Sequence, residues 1–485
     1  MQNQDHLPFP QGTRGLFFTQ IFSTFSFAVL NYTLVLYMTL YLHFSDILAT
    51  SIEATFLAFN FALHLFGGFI AGRFLSNRLL FIIAMMMQGG GCLIISTLSS
   101  TNLYIGLALF LAGSGINTTC MNCMVTQLFE PSDNRRERAF FWNYSGMNLG
   151  FFFGITLAGY LQKTNHFDDL FFVTAFSNIF AMIIIFLNWK HLADRKTPLV
   201  MLPKTKHLQN NILGFGILAL LIPSLFWLLA HSAFNNRLVM IVGASMGIVI
   251  AILAMTQPTA EARKKIWAFL ILGIASLSFW TLFEMTPMGL TLFIQRNVDR
   301  HIGNFIVPAG WFQNIDPFII MVGGPIFGYI FQLLRKKGFR ITVPLQFSLA
   351  LWFIGFALVI LPIGIHFANP QGYVNMNWVV LSFSMLTFGE LCIGPIGYAM
   401  IGYLAPPKLQ GIMMGTWCML TGVASTLSGH FSKVALGTTN ATDPLITNSS
   451  FGHTFNQMGW VTVGVGVCIF LLKPFIESLM ADNEK

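Results

Sequence analysis

Three acidic residues lie within or beside long apolar stretches. Glu284 and Glu390 are each deep in an apolar run, and Asp316 precedes Pro317 at the start of another. A carboxyl group can bind and release a proton, or it can pair with an ammonium group. Because an unpaired charge is costly in apolar surroundings, Glu284 and Glu390 are predicted to be functional. Asp316 is equally consistent with a helix N-cap before a proline.

The elements that must position these acids are membrane helices. The chain has 485 residues, of which 55% are hydrophobic and 9% are charged, whereas soluble domains carry about 25% charged residues. A helix needs about 20 apolar residues to cross a bilayer, and the sequence predicts an all-α polytopic membrane protein. The fourteen predicted spans lie near 16–42, 52–72, 79–98, 103–128, 140–161, 170–189, 212–231, 238–255, 266–287, 315–334, 341–366, 378–403, 411–434 and 460–480.

An ionisable side chain at the bilayer centre costs about 2.5–3.5 kcal/mol on insertion scales. Glu284 and Glu390 are therefore expected to face a water-accessible cavity. No Lys or Arg is predicted deep in a span, so each acid either carries a proton or meets a cationic substrate. Glu53 is predicted near the outer end of its helix and is expected to be solvated. Pro287 and Pro395 follow the two acids and are candidate helix kinks.

The basic residues indicate the orientation of the chain. Of the 26 Lys and Arg residues, those that fall on the outer side are Lys163, Arg237, Arg296, Arg300 and Lys433. Cytoplasmic loops carry the excess of basic residues, so both termini are predicted to be cytoplasmic. This asymmetry accounts for the net charge of +8 without a nucleic-acid partner. The loops are short, which leaves no room for a soluble catalytic domain.

Two similar segments suggest an internal repeat. The stretches 67–72 and 323–328 both have the pattern GGxIxG, and a basic loop follows each. Chance is the alternative, since glycine is frequent in membrane helices. A repeat predicts an N-terminal six-helix half over 1–200, a linker with two inserted helices over 201–262, and a C-terminal six-helix half over 263–485. Carriers built in this way bind their substrate near the midplane, between the halves.

A resemblance covers nearly the whole chain. Its motifs lie in the segments 130–150, 279–313, 389–397 and 404–415. They are similar to the proton-dependent oligopeptide transporters, the POT family of the major facilitator superfamily. The resemblance implies uptake of di- and tripeptides by alternating access, driven by a proton gradient and without a cofactor, metal or enzymatic activity. Bacterial members also have two extra central helices.

The resemblance also implies roles for particular residues. Asn148, Asp316 and Glu390 match residues that hold the peptide's amino terminus, and Glu284 matches an acid linked to protonation. Glu284 and Glu390 are the candidate proton-coupling residues. The candidate substrate-binding residues are Asn148, Asp316, Glu390, Asn31, Thr118, Phe27 and Trp280.

The departures from the family pattern share one direction. The first-helix signature, which has two glutamates and an arginine, is replaced by neutral residues over Gln20–Ala28. Asn31 and Thr118 stand where the family has arginine and lysine, and Asp316 stands where it has asparagine. A substrate carboxylate would therefore lack a cation. We expect a preference for cationic or amine-bearing substrates whose carboxylate is blocked.

Two alternatives remain open at this point. The chain could be a transporter-like receptor, or a repurposed carrier of a non-peptide cationic solute without full proton coupling. We expect its partners to be membrane lipid, protons and a small peptide or peptide-like solute. The predicted location is a bacterial inner membrane, and the predicted oligomeric state is a monomer.

Overall fold

The structure is a computed structural model that describes residues 8–130, 133, 135–164, 166–195, 197–406, 409–437 and 442–481. Helices dominate it. In chain order they are α1 Thr13–Leu36, α2 Asp46–Ile70, α3 Asn77–Ile95, α4 Ser100–Gln127, α5 Arg135–Lys163, α6 Phe167–Leu187, α7 Pro198–Met201, α8 Lys204–Ala230, α9 Ser232–Thr256, α10 Ala260–Phe283, α11 Thr291–Asn297, α12 Ile315–Lys336, α13 Val343–His366, α14 Met376–Leu404, α15 Gln410–Leu436, α16 Pro444–Leu471 and α17 Lys473–Met480.

Shorter elements join some of these helices. A π-helical turn, Tyr37–Tyr41, extends α1, and a second one, Thr286–Leu290, connects α10 to α11. A 3-10 helix, Ala309–Asn314, leads into α12. The strands have two residues each and form one parallel and one antiparallel pair. They are β1 Val298–Asp299, β2 His301–Ile302, β3 Phe305–Ile306 and β4 Val374–Asn375.

The helices agree with the predicted membrane spans. In the described part of the chain, a helix overlaps each predicted span, and 12 of these elements are long and apolar enough to cross a membrane. The two exceptions, α5 and α15, have 29 and 27 residues. Their length is sufficient for a crossing, but neither is among the 12 elements that are both long and apolar enough. The all-helical fold class is thus confirmed.

The start of the last long helix was predicted too late. Hydropathy predicts a span over 460–480, whereas α16 covers Pro444–Leu471 and a separate short helix follows it. The reason is a capping signal that hydropathy does not detect. The Asp443 side chain accepts a hydrogen bond from the Leu445 backbone N–H at 2.9 Å, and Pro444 occupies the first helical turn. Such a cap stabilises a helix start even where the first turns are polar.

The chain divides into two compact units. Unit 1 comprises 1–43 and 59–232, and unit 2 comprises 44–58 and 233–485. Within unit 1, α3 and α4 approach closely at Gly91 and Gly106, where a Cβ on Gly91 would lie 2.6 Å from the Gly106 carbonyl oxygen. Small residues permit such contact between membrane helices.

Unit 2 has the same kind of close glycine contact between α13 and α16. A Cβ on Gly355 would lie 2.9 Å from the Gly459 carbonyl oxygen, so neither position accepts a larger side chain without movement. The outer part of α2 belongs to the same unit, where Ala58 packs with Val239 and Val423. Unit 2 therefore contains the first half of α2 together with α9 to α17.

Candidate functional site

Glu284 lies where a membrane helix breaks. The α-helical part of α10 ends at Phe283, Glu284 is its C-cap, and the π-helical turn follows. Inside that turn Met288 has non-helical angles of φ −108° and ψ −109°. Pro287 cannot donate a backbone hydrogen bond, which favours a break at this point. By contrast, α14 continues through Pro395.

Side chains from neighbouring elements satisfy the backbone groups that this break releases. The Gln313 amide donates to the Thr286 carbonyl at 2.7 Å, and the Ser432 hydroxyl accepts from the Gly289 N–H at 3.1 Å. The Ser428 hydroxyl donates to the Thr281 carbonyl. Broken helices are tolerated in membranes when polar side chains replace the lost bonds in this way. Gln313, Ser428 and Ser432 thus hold the segment that carries Glu284.

Asp316 and Glu390 form a carboxyl pair within unit 2. Both are half-buried, and a side-chain hydrogen bond links them. Asp316 is the second residue of α12 and not the N-cap that was considered for it. Because a hydrogen bond between two carboxyl groups needs a proton on one of them, this pair can share a single proton. Thr387, one turn before Glu390, also bonds to Asp316.

Glu53 differs from its sequence-based expectation. It was expected to be solvated at the outer end of α2, but its side chain is 0% exposed. Neither of its carboxyl oxygens has a hydrogen-bond partner among the described residues. It interacts electrostatically with Glu284, whose exposure is 7%. The burial of this acid is not visible in the sequence, because hydropathy locates a residue along a helix but does not show which residues pack over it.

The four acids make up what we call the carboxyl cluster: Glu53, Glu284, Asp316 and Glu390. Electrostatic interactions link Glu53 to Glu284 and Glu284 to Glu390, while Glu390 pairs with Asp316. None of the ion pairs seen between described residues includes a member of the cluster. Trp280 lies one turn before Glu284 and packs edge-on against Phe283 at 5.5 Å. The cluster can therefore hold protons or a cation.

An ion pair lies at the end of unit 2 that is predicted to face outside. Both guanidinium Nη atoms of Arg296, in α11, reach the Asp46 carboxylate at the start of α2, and the Nη2–Oδ1 distance is 2.7 Å. Such two-point contact is the strongest form of carboxylate recognition. In the following loop, the His301 side chain hydrogen-bonds to Asp299 and lowers the pKa of that carboxyl. The ion pair joins the outer part of α2 to α11.

The other candidate substrate-binding residues lie in unit 1. Asn148 is buried on α5 and donates to the Tyr144 carbonyl at 3.0 Å, and the Thr118 hydroxyl donates to the Asn117 amide oxygen at 3.1 Å. Asn31 is buried on α1, and its amide oxygen has no hydrogen-bond partner in the described part of the chain. These three side chains are neutral, and each belongs to a different helix.

Aromatic rings accompany Asn31 on the α1–α5 interface. The rings of Phe27 and Tyr32 both meet Phe151 edge-on, each at 6.2 Å between centroids. Phe27 is half-buried. The α1 side of unit 1 thus offers the neutral amide of Asn31 and several aromatic rings, which suit a neutral part of a ligand.

Neutral residues also fill the first-helix positions where the resembled family has charges. The Gln20 amide donates to the Thr24 hydroxyl at 2.8 Å, and its oxygen accepts from the Asn143 amide at 3.0 Å. Ser26 lies within hydrogen-bonding distance of the Gln88 and Asn178 side chains. These bonds tie α1 to its neighbours in unit 1 without an ion pair.

One group of potential metal ligands comes together in the described residues. It consists of His166, Asp168 and Asp169 at the exposed start of α6. It is distant in sequence from the carboxyl cluster, and exposed acids of this kind are common without an ion. We assign it no role.

Long helices of membrane-crossing length, a broken helix and a buried carboxyl cluster define a class of protein. These features are typical of secondary transporters, in which discontinuous helices bring ionisable groups to the midplane. These features make the protein a multi-pass membrane protein of the transporter class.

Comparison with known proteins gives the family. The family model described as PTR2, POT family, matches residues 78–461. The chain therefore belongs to the POT family of peptide transporters. It is 26% identical over 475 residues to the dipeptide and tripeptide permease A of Enterobacter sp. strain 638, covering 97% of this chain and 93% of that protein. It is 25% identical over 472 residues to the permease of the same name from Escherichia coli K12, covering 96% and 93%.

Solved structures agree with this assignment. A crystal structure of the peptide transporter POT in complex with sulfate matches with a TM-score of 0.84 and 24% identity, covering 98% of this chain and 96% of that one. A POT family transporter in complex with 5-aminolevulinic acid matches with a TM-score of 0.82 and 22% identity, covering 96% and 97%. At this level of identity the likeness concerns the fold, which is that of the major facilitator superfamily.

Proposed function

We propose that this protein is a proton-coupled secondary active transporter that takes up di- and tripeptides or peptide-like compounds by alternating access. The proposed setting is a bacterial inner membrane, with both termini cytoplasmic and the chain acting as a monomer. Family membership and the names of the curated relatives support peptide transport. The proton gradient is the only energy source required, and no cofactor takes part.

The Asp316–Glu390 pair is the observation on which this proposal depends most. Two carboxyls joined by a hydrogen bond can gain or lose one proton with little rearrangement. An ammonium group that entered between them would displace that proton and pair with both oxygens. Proton release and amine binding would then compete at one place, which is a direct way to couple the two.

We further propose that amine-bearing or cationic substrates with a blocked carboxylate bind best. Asn31 and Thr118, which stand where the family has cations, are neutral. A substrate carboxylate would meet amides and hydroxyls there, and these compensate a desolvated charge less well than a cation does. Within unit 2, Asp316 and Glu390 offer the negative charge that suits an amine.

A binding series tests this preference. Purified protein is titrated with alanyl-alanine and with alanyl-alanine amide, and binding is followed by thermal shift, since a ligand of the folded state raises apparent stability. We expect the amide to bind about tenfold more tightly, equivalent to about 1.4 kcal/mol. Tighter binding of the free dipeptide would overturn the preference.

A matched variant checks where the preference comes from. Glu261 lies at the start of α10, is 40% exposed and pairs with Lys265, so Glu261→Gln removes one acid of unit 2 far from the pair. We expect this variant to keep the wild-type ratio of the two affinities. A changed ratio would point to the overall charge of unit 2 instead of the Asp316–Glu390 pair.

A repurposed carrier or receptor is the second candidate function. It is favoured by the neutral Gln20–Thr24–Asn143 contacts, which replace the charged first-helix signature. Proteoliposomes with an imposed proton gradient distinguish the two functions. The proposed transporter accumulates labelled dipeptide or its amide above equilibrium, whereas a receptor binds the ligand and does not accumulate it.

A further inference from the structure

Glu53 is a buried acid to which neither the sequence nor the family resemblance assigns a role. Its side chain is fully buried, and both carboxyl oxygens lack a hydrogen-bond partner within the described residues. An unpaired charge in such a place is strongly unfavourable. A carboxyl that is kept there therefore carries a proton for at least part of the time, or receives a charged partner during function.

Its depth places Glu53 between the outer ion pair and Glu284. Glu53 is seven residues after Asp46 on α2, which corresponds to about 10 Å along the helix axis. Glu284 precedes Arg296 by twelve residues, which corresponds to about 18 Å at a helical rise. Asp46 and Arg296 bind each other. Depth along α2 and depth along α10 and α11 can therefore be measured from the same point. On the predicted orientation, Glu53 therefore lies nearer to the outer side than Glu284 does.

The surroundings of Glu53 on the packed elements are mostly neutral. On α15, a Cβ at Gly429 would lie 2.5 Å from the Ala54 Cβ, and on α9 the Asn236 amide bonds to Ser51. Towards the end of these elements where Glu53 lies, the described residues include few charged or titratable groups. They are Glu284 beside the break, Arg296 paired with Asp46, exposed Arg237 on α9, and exposed His430 and half-buried Lys433 on α15.

Exposure changes in order along the carboxyl cluster. Glu53 is 0% exposed, Glu284 is 7% exposed, and Asp316 and Glu390 are half-buried. Electrostatic interaction connects Glu53 with Glu284 and Glu284 with Glu390. The fully buried Glu53 and the half-buried Asp316–Glu390 pair both interact with the cluster through Glu284, which therefore links them.

We propose that Glu53 is a further proton-binding residue that works in series with Glu284. In this step the proton leaves the Glu53 carboxyl, which becomes a carboxylate, and it protonates the Glu284 carboxylate; no other bond changes. Glu284 then passes the proton on to the Asp316–Glu390 pair. The proposal rests on the proposed proton-coupled function and adds the outer entry point of the proton path.

Two assays on proteoliposomes test this role. Accumulation of labelled dipeptide amide under an imposed proton gradient requires net proton movement, whereas counterflow exchange of the same compound does not. For Glu53→Gln, which keeps the side-chain shape but cannot carry the proton, we expect loss of accumulation and wild-type counterflow. Glu53→Asp keeps the carboxyl and is expected to restore accumulation, with a changed dependence on external pH.

A neighbouring residue provides the matched control. Thr50 lies one turn before Glu53, is also 0% exposed, and its hydroxyl has no hydrogen-bond partner among the described residues. Thr50→Val removes a buried polar group at the same helix face without removing a proton site. We expect this variant to keep both accumulation and counterflow.

The possible outcomes are distinguishable. Wild-type protein that binds the compound but never accumulates it would contradict the proposed function itself. Glu53→Gln that accumulates normally, or that folds yet loses counterflow, would overturn the proton-binding role of Glu53. If the glutamine variant does not fold, infrared difference spectra decide: a protonated-carboxyl band that moves in Glu53→Asp supports the role, and an unchanged band contradicts it.

Discussion

In unit 1 the polar side chains of α1 that bond to neighbouring helices are neutral, whereas unit 2 contains the carboxyl cluster. Gln20 contacts Thr24 and Asn143 through its amide, and Ser26 contacts Gln88 and Asn178. The carboxyl cluster consists of acids, and oxygens on Glu53, Glu390 and Asp316 have no hydrogen-bond partner within the described residues.

This difference separates two kinds of buried polarity. An amide network is satisfied in a single protonation state, so it fixes helix positions and responds little to pH. A carboxyl without a partner is unfavourable when it is charged, so its state depends on a proton or on a bound cation. Unit 1 is thus suited to packing and neutral contacts, and unit 2 to charge-dependent steps.

The largest effect is expected from Glu284→Gln. Glutamine keeps the side-chain size at the break but cannot exchange a proton, so we expect proton-driven accumulation to be abolished and counterflow exchange to continue. Both are measured in proteoliposomes with labelled dipeptide or its amide. Unchanged accumulation would mean that the carboxyl cluster is not the coupling device.

A smaller effect is expected from Asp316→Asn, which restores the residue usual in the resembled family. The carboxyl pair becomes an amide beside a carboxylate, so an incoming ammonium group loses one charge-assisted hydrogen bond, worth about 1.5–3 kcal/mol. We expect affinity for alanyl-alanine amide to fall by about tenfold or more, with little change for neutral ligands. An equal loss for charged and neutral ligands would indicate a distorted α12 instead.

Much of the fold could be predicted from the sequence because apolar length and basic loops are properties of local composition. The helices around the predicted spans and the fold class follow from them. The start of α16 could not be obtained in this way, since it depends on the Asp443 side chain capping a polar first turn. The proline signal near Glu284 did indicate the break, whereas the similar signal at Pro395 did not produce one.

The candidate site was less predictable because burial and partner choice are tertiary properties. Glu284, Asp316 and Glu390 stood out as acids in or beside apolar runs. Glu53 did not, because the helices that pack around it are far away in sequence. Gln313 was visible only as part of a motif. Its amide reaches the Thr286 carbonyl and so stabilises the break, and no spacing rule in the sequence predicts that contact.

The smallest expected effect is for a substitution in unit 1, and it tests whether the neutral polar contacts of α1 serve packing alone. Gln20→Leu removes both amide contacts and leaves the buried Asn143 donor without its partner, at a cost of about 1–3 kcal/mol in stability. We expect a lower melting temperature of the detergent-solubilised protein but unchanged proton coupling per folded molecule. Thr19→Val is the matched control. Among the described residues, the buried Thr19 hydroxyl bonds to the Gly15 carbonyl of its own helix, so we expect a smaller decrease. If Gln20→Leu instead abolished accumulation at full stability, the amide network of α1 would belong to the coupling device, and the division between a packing unit and a charge-dependent unit would not hold.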